Sequence, residues 1–181
     1  MSKVHRVFVS YHHANDQGYK NVFEVKFGKQ YGVIVPNSVG MDDIDPNLKE
    51  ETIRQKIRDE FLRQSSVTVV LLGTQTWQRK HVDWEIAASI RATEKNPRSG
   101  LLALMLPSYL KANNNKMDLH TIPPRLADNV DNGYAVVHKW TENPGDLQDL
   151  IHQAYLNKGR ILPNNSRTMF SRNRAGMRWT S

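Results

Sequence analysis

Residues 5–11, HRVFVSY, alternate apolar and polar positions and are rich in β-formers, which predicts a first strand. In GYKNVFEVKF (18–27), Tyr19, Val22, Phe23 and Phe27 recur at helical spacing. YGVIV (31–35) predicts a short strand halted by Pro36, and a polar loop, PNSVGMDDIDP, follows. Inside that loop Asp45 and Pro46 read as the N-cap and first residue of a helix whose Ile53, Ile57 and Phe61 repeat every fourth position. SSVTVVLLG (65–73) is apolar almost throughout and ends in glycine, the pattern of a strand buried on both faces. The connector TQTWQRK leads into HVDWEIAASI (81–90), which reads as helix. GLLALML (100–106) is a second buried strand. Residues 107–133, with ANNN, Pro123-Pro124 and DNVDNG, read as irregular. YAVVHKW (134–140) is a last strand, and Leu147, Leu150, Ile151, Ala154 and Tyr155 line one face of a last helix.

Strands that alternate with helices, with the central strands apolar throughout, predict an α/β fold with a parallel sheet and helices on both faces. Five strands point to the flavodoxin-like order 2-1-3-4-5. Ligands in such sheets bind beyond the carboxyl ends of the strands, where the winding reverses, here between strands 1 and 3. Two loops meet at that point: Ser10 to Asp16 after strand 1, and Gly73 to Trp77 after strand 3. The helix that leaves the second loop carries Glu85, at the edge of an apolar stripe of Val82, Ile86, Ser89 and Ile90 rather than opposite it. Its placement raises a choice between a plain surface glutamate and one aimed into the crevice.

The chain of 181 residues suits one domain with a real core. It has no cysteine, which excludes disulfides, thiolate metal sites and a cysteine nucleophile. No run reaches the ~18 apolar residues of a membrane span, and the N-terminus lacks a signal-peptide pattern. The expected location is the cytoplasm. Charge is unevenly spread. Lys158, Arg160, Arg167, Arg172, Arg174 and Arg178 supply most of the net +7, no acid follows residue 157, and the rest of the chain is nearly neutral. This divides the chain into a body, 1–157, and a basic tail, 158–181, which is an interaction handle of low specificity. The alternative for the tail is a solvated terminus.

Several chemistries of this architecture fail on the residues. There is no Walker loop and no three-glycine dinucleotide turn, since SYHHAND stands after strand 1. No Asp ends strand 3 to accept a phosphoryl group. His12 and His13 are adjacent and point opposite ways in an extended segment, so no metal site is expected. What remains is a carboxylate among hydroxyl-bearing and aromatic loops, with no evident nucleophile or proton relay. That inventory suits cleavage of an N-glycosidic bond with a good leaving group. A carboxylate stabilises the oxocarbenium-like ribose, and rings stack on the bases.

RVFVSYHHAND and SSVTVVLLGTQTWQRKHVDWEI resemble the TIR-like proteins of the Thoeris antiphage system, over roughly residues 4–106. The resemblance implies a TIR-like fold and an enzyme that breaks NAD+ into nicotinamide and an ADP-ribose product. It further implies cyclisation of the ADP-ribose into a signal read by a separate, NAD-linked effector. NAD+ is then a substrate, and no bound cofactor is expected. By position the catalytic residue is Glu85, with Ser10, Tyr11, His12, Thr74, Trp77 and His81 as candidate substrate-binding residues. The family usually has Trp four residues before the glutamate; here that residue is His81. The rival expectation is a non-catalytic module that assembles through the loop after strand 2, which holds Asp42, Asp43 and Asp45, or through the tail. A weaker rival is a nucleotide or nucleic-acid binder that uses the tail.

Overall fold

A computed structural model describes residues 4–37, 45 and 47–180. Five parallel strands run β1 His5–Ser10, β2 Ile34–Asn37, β3 Val67–Leu72, β4 Gly100–Met105 and β5 Ala135–Lys139, in the order β2-β1-β3-β4-β5. The predicted α/β, flavodoxin-like sheet is therefore the one observed. The two runs read as buried strands, β3 and β4, are buried at every position. The winding reverses at β1, where Ser10 lies opposite Val70 of β3.

Helices cover both faces. On one lie α1 (His13–Phe23) and α6 (Pro144–Arg160), packed through Phe23, Leu147, Ile151 and Ala154 onto Val7, Val9, Val69, Leu71, Leu102 and Leu104. A Cβ at Gly100 would collide with the Ala154 carbonyl, so the start of β4 must be glycine for α6 to seat. On the other face lie α2 (Glu50–Lys56), α3 (Lys80–Ser89), α4 (Pro107–Ala112) and α5 (Pro124–Asp131). The even-numbered side chains of β1 and β3 meet this face. Phe8 packs with Ile53, Ile57, Trp84 and Ala88, and Val70 and Leu72 pack with Val82 and Ile86.

Several boundaries move for physical reasons. α1 starts five residues before the predicted helix because His12 caps it, its Nδ1 accepting from the Asn15 N–H at 3.1 Å. Its end continues as a wider, π-helical turn, Glu24–Gln30. Pro36 does not halt β2 but lies inside it, opposite Val7, which the unpaired edge of an edge strand allows. α2 begins at Glu50 with Lys49 as its cap, not at Asp45. Asp45 instead accepts from the Asn47 N–H at 2.9 Å in a local turn. Pro46, Asp42 and Asp43 lie outside the described residues. Residues 107–133 are not irregular throughout: Pro107 and Pro124 open α4 and α5 as first-turn prolines.

The boundary drawn at 157/158 falls within α6. From Ile161 the chain leaves the helix and runs as a strap over α3 and α5. Met169, Phe170 and Trp179 are buried under it. Trp179 Nε1 donates to the Ile122 carbonyl at 2.8 Å, and Arg167 pairs with Asp128 at 2.6 Å. Among the described residues no helix is long and apolar enough to cross a membrane.

Candidate active site

With strand, helices and strap around it, α3 is buried from Val82 to Ser89. Each polar side chain in that stretch therefore needs an internal partner. Ser89 bonds to Thr68 of β3 at 2.7 Å. Asp83 pairs with Arg125 at 3.0 Å and accepts from the Phe170 N–H at 2.9 Å. Glu85 faces the end of β1, where the Ser10 hydroxyl donates to its Oε2. The glutamate is neither on the surface nor at the edge of a stripe; it is 3% exposed, above the point where the winding reverses. Burial pushes its carboxyl up to about 8, and the Ser10 hydrogen bond pulls the other way.

Around it the loops meet as the strand order requires. Tyr11 turns to the opposite face, where its hydroxyl donates to Gln17 at 2.6 Å, and burial raises its pKa. Its carbonyl accepts from His81 Nε2 at 3.1 Å. Burial drives the His81 imidazole down to about 4, so the ring is neutral near pH 7 and the Tyr11 bond fixes its proton on Nε2. Tyr11, His13 and His81 form a row of rings, with centroids 4.5 and 4.6 Å apart. His12 is buried, and its pKa is lowered, first by burial and then by Arg79.

Thr74 and Trp77 do not join this group. Thr74 is exposed on the turn after β3. Trp77 is 2% exposed, packed among Val70, Leu72, Val82 and Ile86, so its ring fills the core rather than offering a stacking surface. The hydroxyl that shapes this turn belongs to Thr76, which accepts from the Gly73 N–H at 2.9 Å and donates to the Leu71 carbonyl. Sequence reading did not single out Asp16 or Arg79 as site residues. Asp16 is 4% exposed on α1, and burial lifts its carboxyl to about 6. The sequence places it only in the loop SYHHAND after strand 1, and the packing of α1 against Gly73 is what buries it. Among the described residues no three His, Asp or Glu side chains converge as metal ligands.

Chemically the site offers a carboxylate held in a poorly solvated position, a hydroxyl that orients it, and flat rings beside it, the neutral His81 among them. An anion there is costly until a cation arrives. A family profile described as "Thoeris protein ThsB, TIR-like domain" matches residues 8–111, more than half of the chain. That span runs from the second half of β1 through β4 and holds every candidate site residue named above. No match to a curated protein was found.

Proposed function

We propose a reaction for this site from one premise: the chain belongs to the Thoeris ThsB family of TIR-like domains. It cleaves the bond between nicotinamide and ribose in NAD+, and the ADP-ribose product, linear or cyclised, serves as a nucleotide signal in antiphage defence for a separate effector to read. The observation that carries this reading is Glu85: a buried carboxylate at the reversal point of the sheet, oriented by Ser10. As the glycosidic bond breaks, both its electrons leave with nicotinamide and neutralise the pyridinium. Positive charge moves to the ribose C1′ and ring oxygen, where ionised Glu85 stabilises it. Water, or a nucleophilic atom of the ADP-ribose itself, then closes on C1′ and gives up a proton. Before substrate binds, Glu85 is mostly protonated near pH 7. The cationic substrate favours the carboxylate, so binding releases a proton. Neutral His81, with Tyr11 and His13, gives the bases a row of rings without repelling the pyridinium.

The test compares nicotinamide release by the wild type and Glu85→Gln. Gln keeps the shape and the Ser10 contact but cannot carry the charge. We expect a fall of at least about 10²-fold, the scale of losing one electrostatic stabiliser. Equal release by both proteins refutes the assignment.

Two observations favour a second reading, a non-catalytic assembly module: Glu85 is nearly covered, and His81 stands where the family places Trp. Under that reading NAD+ stays intact, and deleting residues 161–181 changes the mass in solution.

A further inference from the structure

Buried polar atoms in folded proteins almost always have partners, and an exception calls for a cause. Among the described residues five side-chain atoms are buried without one: His12 Nε2, Asp16 Oδ2 and the Nε atoms of Arg58, Arg79 and Arg91. Two of these belong to guanidinium groups that are otherwise engaged. Arg58 donates to Ser99 at 2.7 Å and to the Ser65 carbonyl at 3.2 Å, and Arg91 pairs with Glu51. The other three sit at the starts of the helices that follow β1 and β3. His12 caps α1, Asp16 sits one turn further on, and Arg79 caps α3 and acts electrostatically on His12.

His12 and Asp16 are complementary. His12 Nδ1 accepts from the Asn15 N–H, so the proton of the neutral ring is on Nε2, a donor with nothing to donate to. Asp16 Oδ2 is an acceptor with nothing to accept from. The Asp16 N–H bonds to the His12 carbonyl at 2.9 Å, so the cap residue and Asp16 stand one turn apart at the start of α1. The Asp16 carboxylate lies against Gly73, the first residue after β3, and a Cβ there would collide with it. The carboxylate therefore rests against the turn after β3 at a point where the chain is bare of side chain.

We propose that His12 and Asp16 bind one ribose hydroxyl of the nucleotide: His12 Nε2 donates to its oxygen, and its hydrogen is donated to Asp16 Oδ2. A hydroxyl is the group that fits, because it accepts and donates through one atom; a phosphate oxygen would satisfy His12 and repel Asp16. This rests on the reading of the chain as a nucleotide enzyme, and it makes Asp16 a substrate-binding residue beside Glu85. A trapped water has the same hydrogen-bonding capacity, and the experiment separates the two.

The full chain carrying Glu85→Gln, which does not consume the ligand, is titrated with NAD+ and with four analogues, each lacking one ribose hydroxyl. Adding Asp16→Ala should weaken NAD+ binding about tenfold, the scale of a hydrogen bond to a charged group. One analogue should show the same loss with Asp16 present and bind the Asp16→Ala protein no worse than NAD+ does. Gly73→Ala, which pushes the carboxylate aside, should reproduce the loss and add nothing to Asp16→Ala. Melting gives the fold control. A carboxylate kept for binding rather than stability leaves Tm unchanged or higher when it becomes Ala or Asn. Unchanged NAD+ affinity in Asp16→Ala means that water fills the pair and overturns the proposal, while the NAD+ reading stands. A lower Tm in both Asp16→Ala and Asp16→Asn, with affinity unchanged, likewise assigns Asp16 to the fold. No NAD+ binding to the Glu85→Gln parent or to the wild type overturns both readings together.

Discussion

α3 carries two buried acids two residues apart, and they have opposite surroundings. Asp83, 1% exposed, meets Arg125 at 3.0 and 3.4 Å and the Phe170 N–H at 2.9 Å. Glu85, 3% exposed, is held by the Ser10 hydroxyl, and no cation among the described residues is paired with it. A two-residue step turns the helix by about 200°, so one acid looks towards α5 and the strap and the other towards the end of β1. The first is a finished ion pair within the protein. The second has no countercharge among the described residues, and in the proposed reaction the cationic substrate supplies it. Burial alone therefore does not point to a catalytic acid; burial without a countercharge is the stronger pointer.

The largest expected effect comes from unpairing the finished acid. Arg125→Met leaves Asp83 buried with one N–H donor in place of a cation, and should cost about 3–5 kcal/mol of stability in urea unfolding. Asp83→Leu added to it should restore most of that loss, because two apolar groups replace a pair rather than leave one charge behind. A cost below ~1 kcal/mol for Arg125→Met would mean that Asp83 is solvated or otherwise compensated, and the contrast would fail.

Glu85→Gln should do the reverse. The folded-state pKa of Glu85, about 8, lies above the ordinary carboxylate value of 4.5. The native protein therefore holds this proton more tightly than the unfolded chain, and the associated stability is complete below about pH 4. It is lost progressively as pH rises towards 8. Gln carries no such liability. We expect the variant to match the wild type near pH 4 and to exceed it by about 4 kcal/mol at pH 8, from ~1.4 kcal/mol per pKa unit. Equal stability profiles from pH 4 to 8 would show that Glu85 already has a countercharge.

This contrast explains what was legible in the sequence. The sheet was, because SSVTVVLLG and GLLALML have no amphipathic reading and five strands admit few orders. The position of Glu85 above the reversal point followed from that order. α5 was not, because Pro123-Pro124 and DNVDNG carry breaker residues at both ends, although Pro124 is a proline opening a helix. Nor was the strap. RILPNNSRTMFSRNRAGMRWTS has no periodicity, and its contacts are made one at a time by Asn165, Met169, Phe170 and Trp179 to partners 40 or more residues away. Trp77, a candidate for stacking, lies in the core, and Asp16, read only as part of the loop after strand 1, is buried on α1: which neighbours reach a loop aromatic or a loop acid is decided by long-range packing.

The smallest expected effect tests whether the two acids are independent. One strap residue, Phe170, is held through both its backbone groups by consecutive α3 side chains: its N–H by Asp83, and its carbonyl by Trp84 Nε1 at 2.8 Å. Trp84→Phe keeps most of the ring packing and removes the second bond. It should cost about 1 kcal/mol, the net value of one hydrogen bond, and speed proteolysis within 161–180. Because this bond is made by a side chain about 100° around α3 from Glu85 and does not touch Ser10, the pH dependence of nicotinamide release should stay where Glu85 puts it. A shifted profile in Trp84→Phe would show that the strap sets the rotation of α3. The Asp83 side and the Glu85 side would then be one coupled unit, and the paired acid would be part of how the unpaired one is aimed.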